Sequence, residues 1–171
     1  MSTLPQGYQV PKTSSHYLKF NQGDNLFRIL APAILGWEDW TEEKKPVRFP
    51  YDQKPQQPIN PEKPIKHFWA LPVWDYSAGA VKILEITQAT IQEALFNLES
   101  DEAWGDLTGY DINIKKSGEK LETKYSIIAK PPKPLAPEIA KAFRDTVLDL
   151  NQLFEGGDPF NPEISPKNIP F

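Results

Sequence analysis

The 171-residue chain is expected to fold as a mainly β domain. Three observations point there. Short runs rich in aromatic and β-branched residues recur between turn signals. One helical period near residue 90 interrupts them. Eighteen prolines, about twice an ordinary share, gather in stretches that cannot be interior strand.

Residues 1–15 are rich in Pro, Ser and Gln and read as an irregular arm. Residues 16–20 and 26–35 read as strand, joined through the turn signal Asn21-Gln-Gly-Asp-Asn25. Residues 37–66 hold six prolines and two Trp without a sustained period, and are expected to be one long loop. Residues 67–76 (HFWALPVWDY) read as strand, with Pro72 marking a bend or an edge position. Ser77-Ala-Gly-Ala80 makes a hairpin turn into a strand at 81–86. Thr87 is placed to cap a helix running to about Glu99, in which Ile91, Ala94, Leu95 and Leu98 form one apolar stripe.

An acidic turn region around Trp104 covers residues 101–109. Residues 110–116 and 121–129 form a second hairpin. The linker Lys130-Pro-Pro-Lys-Pro134 follows, and Pro137 sits where a helix can start. Ile139, Phe143, Val147, Leu150 and Phe154 would be the apolar face of that C-terminal helix, which Gly156-Gly157 ends. The domain plan is therefore an arm (1–15), a barrel (16–130), a linker and helix (131–155) and a flexible tail (156–171). A five-stranded barrel with its helix between strands three and four is the order of an OB fold, here with an additional C-terminal helix.

The net charge is −4, which by itself opposes binding of a polyanion. Its distribution does not. Residues 44–69 carry six Lys/Arg against two acids, and residues 111–134 six Lys against three. Residues 70–110 carry one Lys against seven acids, and the last 37 residues three basic groups against six acidic. Segregated charge can attract phosphate locally while the whole molecule stays acidic, although ordinary solvated charge looks the same in sequence.

The places that an OB fold uses for oligonucleotides are here rich in rings and cations. The loop between strands one and two holds Trp37, Trp40, Lys44, Lys45 and Arg48. Around the hairpin of strands two and three lie Lys66, Phe68, Trp74, Tyr76 and Lys82, and strands four and five add Lys115, Lys116 and Lys124. Rings stack on bases and Lys/Arg track the backbone, with no need for base-specific hydrogen bonds. Alternation assigns Trp69, Leu71 and Val73 inward and Phe68, Trp74 and Tyr76 outward, with Pro72 a point where the register can switch. Tyr125 with Ile127 is assigned to the core, and Trp37 and Trp40 are read as stacking rings or as loop anchors.

No catalytic constellation is present. The two histidines, His16 and His67, lack metal-ligand spacing, and with no cysteine there is no thiolate site or disulfide. Glu99, Asp101, Glu102 and Asp106 read as a solvated turn rather than a metal site. A non-enzymatic protein with neither metal nor cofactor is expected. The N-terminus lacks the basic and apolar regions of a signal peptide, and no apolar run reaches membrane-spanning length, so a soluble, cytoplasmic protein without membrane contact is expected.

Several segments, taken in order, resemble the single-stranded DNA-binding proteins of tailed bacteriophages. They are Tyr17-Leu-Lys-Phe, Asn25-Leu-Phe-Arg-Ile-Leu30, Gly36-Trp-Glu-Asp-Trp40, Lys66-His-Phe-Trp-Ala-Leu-Pro-Val-Trp-Asp75, Lys82-Ile-Leu-Glu-Ile86, Trp104-Gly105, Tyr110-Asp-Ile112 and Thr123-Lys-Tyr125. The resemblance implies an OB fold and sequence-tolerant binding of single-stranded DNA in phage replication, recombination or repair, in the host cytoplasm. The end of the chain, Asn168-Ile-Pro-Phe171, is similar to the tip of bacterial single-stranded DNA-binding proteins. That likeness implies docking of Ile169, Pro170 and Phe171 on replication or recombination proteins; an inert terminus is the alternative. The other reading of the whole chain is a non-catalytic protein-interaction or structural module on the same barrel.

Overall fold

The computed structural model describes residues 3, 5–7 and 16–162. Seven strands make one antiparallel sheet: β1 (Leu26–Ile29), β2 (Ile34–Trp40), β3 (Pro46–Pro50), β4 (Lys66–Asp75), β5 (Ala80–Ile86), β6 (Asp111–Ser117) and β7 (Lys124–Ala129). Three helices accompany them: α1 (Ala89–Ser100), α2 (Pro137–Arg144) and α3 (Gln152–Glu155). The sheet runs β3-β2-β4-β1-β6-β7, and β5 pairs the other edge of β4. Among the described residues no helix is long and apolar enough to cross a membrane.

The ten-residue β4 is the spine. On one edge it pairs with β2 through residues 66–70 and with β1 through residues 73–75. The expected single strand over residues 26–35 is thus two strands, broken at residues 30–33, where Pro32 lacks the N–H a ladder needs. Pro72 lies opposite this break, in mid-strand rather than at an edge. Its neighbour on β5 is Ile83, whose backbone groups point away from β4, bonding Leu18 N–H at 2.9 Å and the His16 carbonyl at 2.8 Å. The nitrogen of Pro72 therefore faces the break, where no acceptor waits, and its carbonyl accepts the Leu30 N–H at 2.9 Å.

Two further expectations are corrected. Residues 16–20 form only an isolated parallel bridge, Tyr17 to Ile83, because one neighbour at one position is all the sheet offers them. Residues 37–66 are not one loop: β2 and β3 form a hairpin there, pairing Trp37 with Phe49 and Trp40 with Pro46. Alternation is hidden because both faces of β2 are used and two of its residues, Glu38 and Asp39, are buried acids. Asp39 is buried and accepts the backbone N–H groups of Trp40 at 2.9 Å and Ile59 at 3.0 Å, which ties the rest of the loop to β2.

The inner face of the sheet carries the main core: Phe27, Ile29, Leu71, Val73, Leu84 and Ile86 with Ile112 and Ile114. Trp69, Tyr125 and Ile127 pack against it, as alternation assigned them. Helix α1 closes this core with Ile91 and Leu95 buried and Leu98 packed beside them. It begins one turn position later than expected, with Gln88 rather than Thr87 at the cap. The Gln92 amide ties it down by donating to the carbonyls of Ile86 at 2.9 Å and His67 at 3.1 Å.

A second core lies on the outer face. Phe68, Ala70 and Ile83 are buried there under Leu153, with Leu148, Leu150, Phe154 and Phe160 around them. The cover is the C-terminal segment. The single helix expected from 137 to 155 is two short ones, and Val147, assigned to its apolar face, is exposed in the turn between them. Residues 156–162, expected as flexible tail, are folded: Phe160 stacks on His16 with centroids 4.3 Å apart and Pro159 is buried. Most of the arm and the terminal Ile169, Pro170 and Phe171 lie outside the described residues.

Candidate nucleic-acid interface

The aromatic and basic residues singled out from sequence fall into three groups. The first surrounds Trp37 on the inner face of β2. Cross-strand neighbours share a face, so Trp37 meets Phe49 on β3 and His67 on β4. The chain after β3 turns back at Tyr51–Gln53 and lays Tyr51 against the Trp37 ring, 5.7 Å between centroids and 15° from parallel. The indole Nε1–H donates to the Tyr51 carbonyl at 2.9 Å. His67 lies 5.0 Å from Trp37 and 5.4 Å from Tyr51. Its Nδ1 is 2.8 Å from the Gly36 carbonyl oxygen; a carbonyl only accepts, so Nδ1 carries the proton and Nε2 is left as an acceptor in the neutral ring. The Lys54 ammonium sits 4.3 Å from the centre of the Trp37 ring.

Trp37 is therefore a pedestal, held by neighbours and half-buried. The ring it presents outward is Tyr51, which is 58% exposed. Tyr51 and Lys54 were missed in sequence because nothing in a proline-rich segment says which ring faces water; an aromatic three residues before a Lys is the one weak cue. Lys44, Lys45 and Lys66 stand exposed around the same end of the sheet, Lys44 in a left-handed turn conformation at φ 63°. Trp40 is half-buried on the opposite face of β2, with Lys63 5.8 Å from its ring.

The second group lies on the outer face, and much of it is engaged. Phe68 is fully buried, with Phe154 6.1 Å away between centroids and Arg48 5.9 Å from its ring. Arg48 is held by two carboxylates, Glu85 at 2.8 Å and Glu38 at 3.3 Å. Burial pushes the Glu38 carboxyl up to about 8, helped by its hydrogen bond with Glu85 and opposed by Arg48. Lys82 does not share this face: it lies opposite Val73 on the inner side and pairs with Asp75 at 3.1 Å. Tyr76 donates to Asp111 at 2.7 Å, and burial with that bond raises its phenol to about 12. Trp74 is half-buried beside Lys82, His16 and Phe160. As folded, this face offers a ligand the half-buried Trp74 but not Phe68 or Arg48.

The third group is the β6–β7 hairpin, where Lys115 and Lys124 are exposed and Lys116 partly so. Register places this hairpin past the C-terminal end of β4, through β1, whereas Trp37 pairs with the N-terminal end. The eight-residue separation along β4 from His67 to Asp75 corresponds to about 26 Å. The fold does not join the first and third groups into one patch.

Among the described residues no group of three or more His, Asp or Glu is placed to hold a metal ion. Comparison with protein-family models, with curated proteins and with solved structures gives no match.

Proposed function

We propose that this chain binds single-stranded DNA, tolerant of sequence and without catalysis, at the ring and lysine cluster around Trp37. The observation that carries this reading is the exposed Tyr51 ring seated on Trp37 and His67, with Lys54 on the Trp37 ring and Lys44, Lys45 and Lys66 about it. A ring held on a pedestal loses little freedom when a base stacks on it, and exposed lysines, Lys45 among them in spite of its surface pair with Glu43 at 4.0 Å, can follow phosphates. Double-stranded DNA hides its base faces and gains only the cationic part.

The strand order supports an OB-type barrel left open. In that reading β1 and β2 are the broken first strand, β4 the second, β5 the third, β6 the fourth and β7 the fifth, with β3 an added strand that extends β2 into a hairpin. The phage setting, with a role in replication, recombination or repair and a docking role for Ile169, Pro170 and Phe171, comes from the resemblance of the sequence segments. The test is titration of a labelled pyrimidine strand with wild-type protein and with Tyr51→Ala. Loss of one stacking ring costs about 1–3 kcal/mol, so Tyr51→Ala should weaken binding roughly tenfold. Unchanged affinity would remove Tyr51 from the interface.

A further inference from the structure

Two features lie outside the proposed DNA site. The first is the tip of the β6–β7 hairpin. Leu121 there is completely exposed. It sits in a turn at Lys120–Glu122, entered through Lys120 in a left-handed conformation at φ 51°. The turn is pinned by backbone bonds from Glu122 N–H to the Glu119 carbonyl at 3.0 Å and from Thr123 N–H to the Lys120 carbonyl at 3.2 Å. Across from it the Gln22 amide donates to the Gly118 carbonyl at 2.7 Å. An apolar knob is thus held out on a fixed support, with Lys115, Lys116, Lys120 and Lys124 around it against Glu119 and Glu122.

The second is an apolar cleft of about 650 Å³ on the inner face, between the β1–β2 break, β4, α1 and the turn before β6. Trp69 and Leu71 form its floor, and Leu35 and Phe96, 41% and 60% exposed, its rim. The charged groups lining it are Glu99 and Asp106, both acidic. Such a lining repels phosphate and suits an apolar group that arrives with cations.

The two features stand at opposite ends of one strand. Asp106 and Thr108 of the cleft come just before β6, and the hairpin tip comes just after it. Seven residues of strand separate them by about 20 Å, so the knob cannot enter the cleft of its own copy. We propose that the Leu121 hairpin of one copy docks in the Leu35/Phe96 cleft of the next. This contact is head-to-tail, so it builds an open row of copies rather than a closed two-fold pair. It needs no nucleic acid, and a row of copies would set successive Trp37 clusters along one strand.

The test is sedimentation velocity of the full chain, without nucleic acid, across a concentration series at low and high salt. The sedimentation coefficient should climb with concentration at low salt and fall back at high salt. Leu121→Asp and Phe96→Asp each remove one half of the contact and should each stay monomeric. Their equimolar mixture should form a one-to-one pair and stop there, because one variant keeps its cleft and the other its hairpin. Both side chains are exposed, and matching circular dichroism melts will show that the variants fold. A wild-type chain monomeric throughout leaves the cleft to some other partner and overturns the proposal. So does a single variant that still associates, or a mixture that stays monomeric. Because nucleic acid is absent, none of these outcomes bears on DNA binding.

Discussion

Gly36 packs against β3 and the C-terminal segment at once, and replacing it with Ala tests how that segment is joined to the sheet. A Cβ at this position would press on the Phe49 carbonyl oxygen of β3, well inside contact distance. It would also lie 2.8 Å from Cε1 of Phe68 and 3.0 Å from Cε1 of Phe154. The rings can tilt, but the carbonyl belongs to the β2–β3 ladder and cannot yield without loss of pairing. Overpacking of this kind costs typically 1–3 kcal/mol, and a backbone neighbour places Gly36→Ala near about 3 kcal/mol. With a urea slope of roughly 2 kcal/mol per M, the unfolding midpoint should fall by about 1.5 M. Gly109→Ala is the control. A Cβ there has nothing within 4 Å and the backbone is not left-handed, so the change should be neutral or stabilise by about 0.4–1 kcal/mol. The assay is urea denaturation followed by Trp fluorescence. A Gly36→Ala chain as stable as Gly109→Ala would refute the close packing of β2, β3 and α3.

The remaining predictions concern charge and the interface. Glu38 has its carboxyl raised from 4.5 to about 8, so the folded state holds a proton that the unfolded chain releases. The resulting stability is fully present below about pH 4.5 and is lost as pH rises through about 8, at no more than about 1.4 kcal/mol per pH unit. Glu38→Gln should flatten that slope in denaturation curves taken from pH 5 to 8, and parallel curves for the two proteins would contradict it. Arg28 is 2% exposed and spends its guanidinium on Asp111 at 3.5 Å and the carbonyls of Thr108 at 2.9 Å and Lys133 at 2.8 Å. Arg28→Met should therefore cost about 3 kcal/mol, since it takes a charged donor from the Thr108 and Lys133 carbonyls and leaves Asp111 with only Tyr76 and Lys133, and a thermal melt within a degree of wild type would exclude this. Trp37→Ala should weaken single-strand binding at least as much as Tyr51→Ala and also lower the melting temperature, because it removes the pedestal as well as a ring. An effect on stability alone would leave Trp37 as a loop anchor.

The β4 alternation was readable in the sequence because the two sheet faces differ: Trp69, Leu71 and Val73 meet the inner core and Phe68 the outer. The α1 stripe was readable for the same reason, one face meeting core and the other water. The β2–β3 hairpin was not, because Glu38 and Asp39 are buried acids that break the apolar alternation, and their partners, Arg48 directly across the hairpin and the Ile59 N–H further on, are supplied only by the fold. Phe68 was correctly placed on the outer face, but outer did not mean exposed. A short segment far along the chain, with Leu153 and Phe154, covers it, and no local pattern announces such a contact. The proposed site followed the same logic. Trp37, Lys44, Lys45 and Lys66 were legible as a ring and cation cluster, whereas which ring faces outward was decided by the turn at Tyr51.

Sequence-tolerant single-strand binding is tested most directly by fluorescence anisotropy of a labelled poly-pyrimidine strand. The strand should be titrated with the protein at two salt concentrations beside a duplex of the same length. The expected result is saturable binding of the single strand, weaker at higher salt and weaker still for duplex. Equal affinity for duplex, or no binding of the single strand at low salt, would contradict it.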